Sequence, residues 1–399
     1  MKRFIPFFFL LCLLVSACAP ALQTTEESTG AQPMSTAEES QAAPQSAIAP
    51  QTTPLPDEIN APLIDSPAIV NIEMLDEVYG WAVTDENIIR TNDGGVTWYD
   101  VTPANLADAG YLVYTDFFDV NRAWVQFPDM NRYPNGGKLY RTTDGGVTWE
   151  SFNTPFSGGS MHFVDESNGW VMADLGVGAG SMAVSIFQTR DGGKTWERTY
   201  TNDPNFADSG DTLPLGGIKN LIVPLNTKTA WVGGVVYAPG QTYLFRSDDG
   251  GETWFNINLV LPKSTDESEL SVQGILFVSP QEGLLALRVT SDSPETIVYI
   301  TKDGGNTWTQ LPVTFEGYGI LETPSAREMI FYTADQFYVT KDAGANVEQI
   351  TPDVKFGDSV IDMSFANSQT GWVVASNSSG DFILYKTTDG GATWTALTE

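Results

Sequence analysis

The chain has 399 residues, of which 42% are hydrophobic and 12% aromatic, so it carries enough apolar material to bury a core. Fifty acidic residues against 20 basic ones give a formal net charge of −30, which repels nucleic acid and argues against it as a partner. Two cysteines are too few for a disulfide framework, and the single histidine argues against a His-rich metal site. We therefore predict neither a metal site nor a cofactor.

The first residues have the form of a secretion signal. Lys2 and Arg3 precede an apolar stretch of about a dozen residues, which is too short to span a bilayer. It ends at Ser16-Ala17-Cys18, which resembles the lipobox of bacterial lipoproteins and implies cleavage after residue 17 with acylation of Cys18. We predict a signal peptide at residues 1–17 and an extracytoplasmic protein that contacts the membrane only through this lipid. An ordinary signal peptide with an incidental cysteine is the alternative.

Residues 18–65 follow as a lipid-anchored linker. After the cysteine they are mainly Ala, Pro, Gln, Ser, Thr and a few Glu, and they include no aromatic residue. Such a segment buries too little apolar surface to offset its chain entropy. We predict a disordered tether that holds a folded domain, residues 66–399, away from the membrane.

An Asp-Gly-Gly turn followed by Thr and Trp recurs about every 50 residues in residues 66–399. Six copies are complete, with the aspartates Asp93, Asp144, Asp191, Asp249, Asp303 and Asp389 and the tryptophans Trp98, Trp149, Trp196, Trp254, Trp308 and Trp394. A seventh, decayed copy spans residues 340–347. A second element, usually Gly-Trp or Ala-Trp, precedes the complete copies, and the two elements together use all 11 tryptophans. This regularity indicates a repeat architecture.

Each copy is typical of a tight turn between two strands. The Asp carboxylate accepts backbone N–H groups, the glycines supply positive φ, and the Trp packs the turn onto a core. We predict four strands per repeat, in the last one residues 360–365, 372–376, 382–386 and 393–397. Because isolated four-stranded sheets are marginal, the repeats must pack on one another. The prediction is an all-β chain with a single seven-bladed β-propeller of four-stranded antiparallel blades. We expect it to close without a shared strand, the alternative being a closing strand from residues 59–66.

The motif resembles the Asp-box, or BNR, repeat of sialidases, sortilin-type receptor domains, xyloglucan-active glycosidases and Ycf48-like photosystem II assembly factors. The resemblance implies that the Asp-boxes join the third and fourth strands of each blade, on the face away from a ligand site. It thus implies a structural role for their six aspartates and six tryptophans. The overall organisation is most similar to the Ycf48-like assembly factors, which are not enzymes. The scarcity of Lys and Arg, however, argues against the basic face of that family.

Two loops on the opposite face carry the candidate ligand-binding residues, because rings can stack on a sugar or peptide while carboxylates accept its protons. They span residues 128–137 and 200–211 and contain Arg132, Tyr133, Tyr200, Asp203, Phe206, Asp208 and Asp211. A plain solvated loop is the alternative for each. The three aspartates of the second loop do not have the spacing of an EF-hand, so no calcium site is predicted.

Polar residues in the innermost strands form a second candidate set, predicted to line the central channel. They are Glu73, Asp116, His162, Lys219, Gln273 and Asp362. The sequence favours water-filled channel polarity as their explanation. His162 has no evident nucleophile beside it, so a Ser-His-Asp hydrolase is not predicted.

The sequence favours a non-catalytic binding or assembly scaffold of the bacterial cell envelope, acting through the loop face on a protein or glycan partner. The alternative is a glycoside hydrolase with a carboxylate pair on the loop face. The resemblance to xyloglucan-active enzymes implies two propellers facing across a cleft, whereas this chain has one. A sialidase is not predicted, because no Arg-Ile-Pro motif is present and several arginines recur with the repeat.

Overall fold

The computed structural model describes residues 59–104, 106, 113–129 and 131–398. The predicted signal peptide, Cys18 and almost all of the predicted linker lie outside these residues. Across the described ranges, helical structure is limited to two short 3₁₀ turns, Lys263–Thr265 and Gly357–Ser359, and nothing helical is long and apolar enough to cross a membrane.

The strands form seven consecutive antiparallel groups in the described residues, which we number blades 1 to 7. Blade 1 contains β1 (Leu63–Ile64), β2 (Ile69–Met74), β3 (Gly80–Thr84), β4 (Ile88–Thr91) and β5 (Trp98–Asp100), and blade 2 contains β6 (Tyr114–Asp116), β7 (Ala123–Pro128), β8 (Gly137–Thr142) and β9 (Glu150–Thr154). Blade 3 contains β10 (Gly159–Phe163), β11 (Gly169–Gly178), β12 (Ser181–Thr189) and β13 (Glu197–Thr201), and blade 4 contains β14 (Ile218–Pro224), β15 (Ala230–Val235), β16 (Tyr243–Ser247) and β17 (Phe255–Asn256).

The remaining strands repeat the arrangement. Blade 5 contains β18 (Glu269–Phe277), β19 (Gly283–Thr290), β20 (Glu295–Thr301) and β21 (Thr309–Glu316). Blade 6 contains β22 (Ile320–Glu322), β23 (Met329–Thr333), β24 (Gln336–Thr340) and β25 (Glu348–Ile350), and blade 7 contains β26 (Val360–Phe365), β27 (Gly371–Ser376), β28 (Phe382–Thr387) and β29 (Thr395–Ala396). The all-β propeller of four-stranded antiparallel sheets is thus confirmed.

Two details depart from simple four-stranded units. β1 pairs with β5 at the outer edge of blade 1, so the described sheet begins before residue 66 and this strand does not complete blade 7. Val235 of blade 4 also pairs with Ser271 of blade 5, which joins these two blades into one eight-stranded sheet.

Blades 7 and 1 pack against each other and close the ring. The Trp372 indole N–H donates to the Gly94 carbonyl at 2.9 Å, and Met74 N–H donates to the Ser364 hydroxyl at 2.9 Å. Trp372 also lies in one hydrophobic cluster with Trp98 of blade 1. We call the side with the strand-three to strand-four turns the Asp-box face, and the opposite side the loop face.

The Asp-box turns are stabilised, or stapled, by hydrogen bonds between their own side chains and backbone. In blade 2, Asp144 accepts the Thr142 hydroxyl at 2.8 Å, the Thr148 N–H at 2.9 Å and the Thr148 hydroxyl at 2.6 Å. The decayed copy makes the same turn, because the Asn346 N–H and side-chain amide donate to Asp342 at 2.8 and 2.6 Å. Hydrogen bonds from Thr307 hold the pKa of Asp303 below its usual value. These carboxylates therefore accept hydrogen bonds within their own turns.

Asp144→Ala should therefore lower the free energy of unfolding by about 1–3 kcal/mol, since the deletion leaves several donors of one turn without their charged acceptor. Asp292→Ala, an exposed residue in another hairpin, is the control and should change stability by no more than about 0.5 kcal/mol. Urea denaturation measures both. Equal losses in the two variants would contradict a stapling role for the Asp-box carboxylate.

Candidate functional site

One position of the innermost strand recurs in each blade, eight residues before the strand-two tryptophan or its replacement. Glu73, for example, lies opposite Trp81 and Asp116 opposite Trp124. From blade 1 to blade 7 the residues at this position are Glu73, Asp116, His162, Val223, Leu276, Glu322 and Ser364. The ring is therefore acidic across blades 6, 1 and 2 and apolar across blades 4 and 5.

Asp362 adds a fourth carboxyl to the acidic side. It lies two residues before Ser364 in β26, which places it about 7 Å nearer to the loop face. Its carboxylate accepts the Ile72 N–H and the Asn71 side-chain amide, both at 2.9 Å. Asp116 likewise accepts the Phe163 N–H at 2.6 Å. These carboxyls therefore join neighbouring blades as well as lining the channel.

Desolvation raises the pKa of each channel carboxyl, and repulsion from neighbouring carboxylates adds to this at Glu73 and Glu322. Desolvation, with the nearby Asp116 and Asp362, raises the pKa of Glu73 to about 8. Desolvation and Asp362 raise that of Glu322 to about 8 as well. The pKa of Asp116 rises to about 7 and that of Asp362 to about 6, because hydrogen bonds from backbone N–H groups partly oppose desolvation. Glu73 is exposed and the others are half-buried, so channel water softens the desolvation but leaves the repulsion in place.

These shifts predict a pH-dependent stability. Because the folded protein holds the four channel protons to higher pH than the unfolded chain does, stability should fall as pH rises from about 4 to about 8. Burial lowers the pKa of His162 to about 4, which acts in the opposite direction between pH 4 and 6.5, but it is one group against four. We expect the highest Tm near pH 4, measured by calorimetry across this range.

Glu73→Gln tests whether the channel carboxyls cause this pH dependence of Tm. It should raise Tm relative to the wild type at pH 8 and change it little at pH 4.5, since the amide never ionises. Glu316→Gln, which removes an exposed carboxyl, should leave the difference between the two pH values unchanged. A wild-type Tm that stays constant from pH 5 to pH 8 would contradict the prediction.

His162 borders the apolar side of the ring. It lines a cavity of about 410 Å³ at the Asp-box end of the channel, together with Val223 and Leu276. Two other residues predicted for the channel do not occupy the ring position, which Val223 and Leu276 take in their blades. Lys219 is buried, and its ammonium donates to the carbonyls of Met182, Leu215 and Gly217 at 2.8 to 3.0 Å. Gln273 is exposed and donates to Ser271 Oγ.

On the loop face, the loop at residues 128–137 brings Tyr133 beside Asp174 of blade 3. Burial and the neighbouring Asp174 carboxylate raise the pKa of Tyr133, and those two causes also raise that of Tyr114 on the innermost strand. Arg132 lines a cavity of about 370 Å³ on the other side of the loop, with Lys138. Asp174 and Tyr114 were not expected from the sequence, because neither lies in a long or unusual loop.

The candidate residues of the loop at residues 200–211 have different environments. The prediction for Tyr200 was wrong: this residue is buried, because its hydroxyl accepts the Leu213 N–H at 2.8 Å inside the fold. Asp203 accepts the Asn205 N–H and so shapes the loop, and Asp208 pairs with Arg198 at 2.8 Å. Phe206 and Asp211 are exposed. Within the ranges the structure describes, no three His, Cys, Asp or Glu side chains gather as metal ligands would.

The fold and its stapled turns define a β-propeller of the Asp-box (BNR) type that resembles Ycf48. A family model described as sortilin, neurotensin receptor 3 matches residues 296–399, and a DUF6242 β-propeller model matches residues 130–316. The solved structure of Ycf48 bound to a D1 peptide has 17% identity and a TM-score of 0.50, covering 84% of this chain and 99% of that one. An ulvan lyase has 11% identity and a TM-score of 0.50, covering 84% and 95%. These likenesses concern the fold.

Curated relatives include two xyloglucanases. Xgh74A of Acetivibrio thermocellus is 27% identical over 320 residues, which cover 72% of this chain and 32% of the relative. The Paenibacillus enzyme is 24% identical over 265 residues, covering 60% and 24%. The matched region thus spans 24 to 32% of the length of these relatives. The expectation that the chain is not an enzyme was wrong in the light of these relatives, and of the two functions considered they favour the glycoside hydrolase.

Proposed function

We propose that the protein acts on a neutral polysaccharide as a glycoside hydrolase, with the channel carboxyls Glu73 and Asp362 as its acid and base. The similarity to two xyloglucanases supports a glycan substrate. The net charge of −30 favours a neutral glycan over an acidic one, because a polyanion would be repelled. The observation that carries the proposal is the convergence of coupled carboxyls whose pKa values differ by about two units, from about 6 at Asp362 to about 8 at Glu73.

This difference assigns the two roles at neutral pH. Glu73 keeps its proton, so it can give that proton to the glycosidic oxygen as the bond to the anomeric carbon breaks. Asp362 is ionised, so it can stabilise the positive charge that develops on the sugar. It can also take a proton from the attacking water, whose hydroxyl completes the new hemiacetal. The environment of each carboxyl, rather than its residue type, sets its role.

The access route favours the loop face. Asp362 and its donor Asn71 lie on the loop-face side of the ring, and the apolar residues of the ring lie across the channel in blades 4 and 5. A chain end entering from the loop face would meet Asp362 first. The sequence predicted an acid pair on the loops as the glycosidase alternative, whereas the carboxyls described above lie on the innermost strands.

The test is release of reducing ends from xyloglucan, cellulose oligosaccharides and mannan, with an acidic polysaccharide for comparison. We expect hydrolysis of at least one neutral substrate and none of the acidic one. Asp266→Asn, in an exposed loop, should retain the wild-type rate. If every substrate of the panel remains intact with a correctly folded protein, the proposed function is wrong.

The cell-envelope location remains a proposal that rests on the sequence resemblance at Cys18. A lipid anchor there would place the propeller where extracellular polysaccharide is accessible. A protein partner would also be compatible with the fold, since the Ycf48 structure contains a bound peptide.

A further inference from the structure

The loop face contains a groove between blades 2 and 3, which none of the roles above uses. Its cavity of about 340 Å³ is walled by Phe156, Phe187 and Phe206, with Asn135 and Arg198 at its rim and Ser185 in its lining. Both loops that the sequence pointed to contribute, Asn135 from one and Phe206 from the other. The volume is within the range of small-ligand pockets, and an apolar wall with a few polar groups is typical of them.

Ser185 gives an independent indication of a ligand. It lies on β12, is only 2% exposed, and its hydroxyl oxygen has no hydrogen-bond partner. A buried hydroxyl without a partner is unfavourable by about 1–3 kcal/mol, so such groups are usually satisfied. A ligand hydroxyl in the groove would supply the missing partner.

The ring of Phe206 is held in place at the groove entrance. The Arg198 guanidinium lies 4.3 Å from the centre of that ring, and Asp208 holds the guanidinium through contacts of 2.8 and 3.0 Å. The ion pair neutralises the arginine, so it offers no free positive charge to an anionic ligand. The ring is thus pre-positioned for stacking, and the surrounding chemistry favours a neutral ligand with both apolar C–H faces and hydroxyl groups.

The lining of the groove lies one residue along the chain from a carboxylate that acts on an innermost strand. Leu175 of its lining is next to Asp174, and Asp174 acts electrostatically on Tyr114 of the innermost strand that carries Asp116. We propose that this groove binds a pyranose ring of a neutral polysaccharide, with Phe206 stacking on the sugar and Ser185 accepting or donating one hydroxyl hydrogen bond. The choice of a sugar rests on the proposed function, and the groove would hold the chain at a distance from the reacting bond.

Calorimetric titration with a xyloglucan oligosaccharide and with cellotetraose tests the assignment. The titration uses the Glu73→Gln background so that little substrate is consumed. Phe206→Ala should weaken binding by about tenfold, and Ser185→Ala by about three- to tenfold. Phe206→Tyr should keep most of the affinity, which separates stacking from folding. Phe255→Ala, at another exposed aromatic on the outer strand β17, is the control and should bind as the parent does.

The outcomes distinguish this inference from the proposed function. If the oligosaccharide binds and Phe206→Ala loses affinity, the groove is a sugar site even when the wild type hydrolyses nothing. If the wild type hydrolyses the polysaccharide while Phe206→Ala has an unchanged KM and Kd, the groove assignment is overturned and the hydrolase stands. Binding of a peptide at Phe206 in place of every oligosaccharide would also overturn it.

Discussion

Replacing Trp372 by alanine is expected to lower the free energy of unfolding by about 3–5 kcal/mol, the usual cost of truncating a large buried aromatic. This side chain has no exposed surface and packs in a cluster that joins blades 7 and 1. Its indole N–H also donates to Gly94 across that junction. Because the first and last blades of the ring meet only through side-chain and hydrogen-bond contacts of this kind, the loss acts on the closure of the whole propeller. Urea denaturation followed by circular dichroism measures the effect.

Two milder substitutions separate packing from hydrogen bonding. Trp372→Phe removes the hydrogen bond to Gly94, whereas Trp231→Phe removes none, because the Trp231 indole N–H has no partner. Both side chains are fully buried, so their packing losses should be similar. We expect Trp372→Phe to be the more destabilising by about 0.5–1.5 kcal/mol. Equal losses would show that the indole hydrogen bond adds nothing to closure.

Glu73→Gln is expected to lower the rate of polysaccharide hydrolysis by about 10²–10⁴-fold, since it removes the general acid. Asp362→Asn should cause a loss of similar size by removing the charge opposite the developing cation. With pKa values of about 6 and about 8, the wild type should show a bell-shaped profile with its optimum near pH 7. The alkaline limb should be absent from the residual activity of Glu73→Gln.

An activated aryl glycoside separates an acid role of Glu73 from a purely structural one. If Glu73 is the acid, Glu73→Gln should hydrolyse this substrate almost as well as the wild type, because such a leaving group needs no proton from the enzyme. Asp116→Asn is the control within the channel, since the amide oxygen can still accept the Phe163 N–H, and it should retain most of the activity. If Asp116→Asn and Glu73→Gln lose activity equally on both substrates, the assignment of Glu73 as the acid fails.

Local sequence signals predicted the framework well. The predicted strand at residues 360–365 agrees with the structure, because alternation and flanking turn residues act within a few positions of the chain. The Asp-box turn is equally local, since its carboxylate, hydroxyl and glycines lie within a handful of residues. Even the decayed copy keeps this geometry, with Asn346 donating where the other copies use threonine.

The channel set was only partly predictable. Glu322 was missed because its repeat lacks the strand-two tryptophan, where Ile330 stands instead. A signal was present all the same, since each residue of the ring lies eight positions before its partner on the second strand. The same spacing would have selected Val223 and Leu276 over Lys219 and Gln273, which the structure places outside the ring.

The sequence by itself determined the repeat, the turns and the all-β fold, because each repeat encodes its own hairpins through contacts between near neighbours. Only the tertiary structure decided which carboxyls share the channel and that Phe206 and Ser185 line one groove with Asn135. The physical reason is that these groups come from different blades and loops, so contacts between near neighbours in the chain do not determine their proximity. Their proximity, and with it their pKa values and available partners, arises when the blades pack around a common axis.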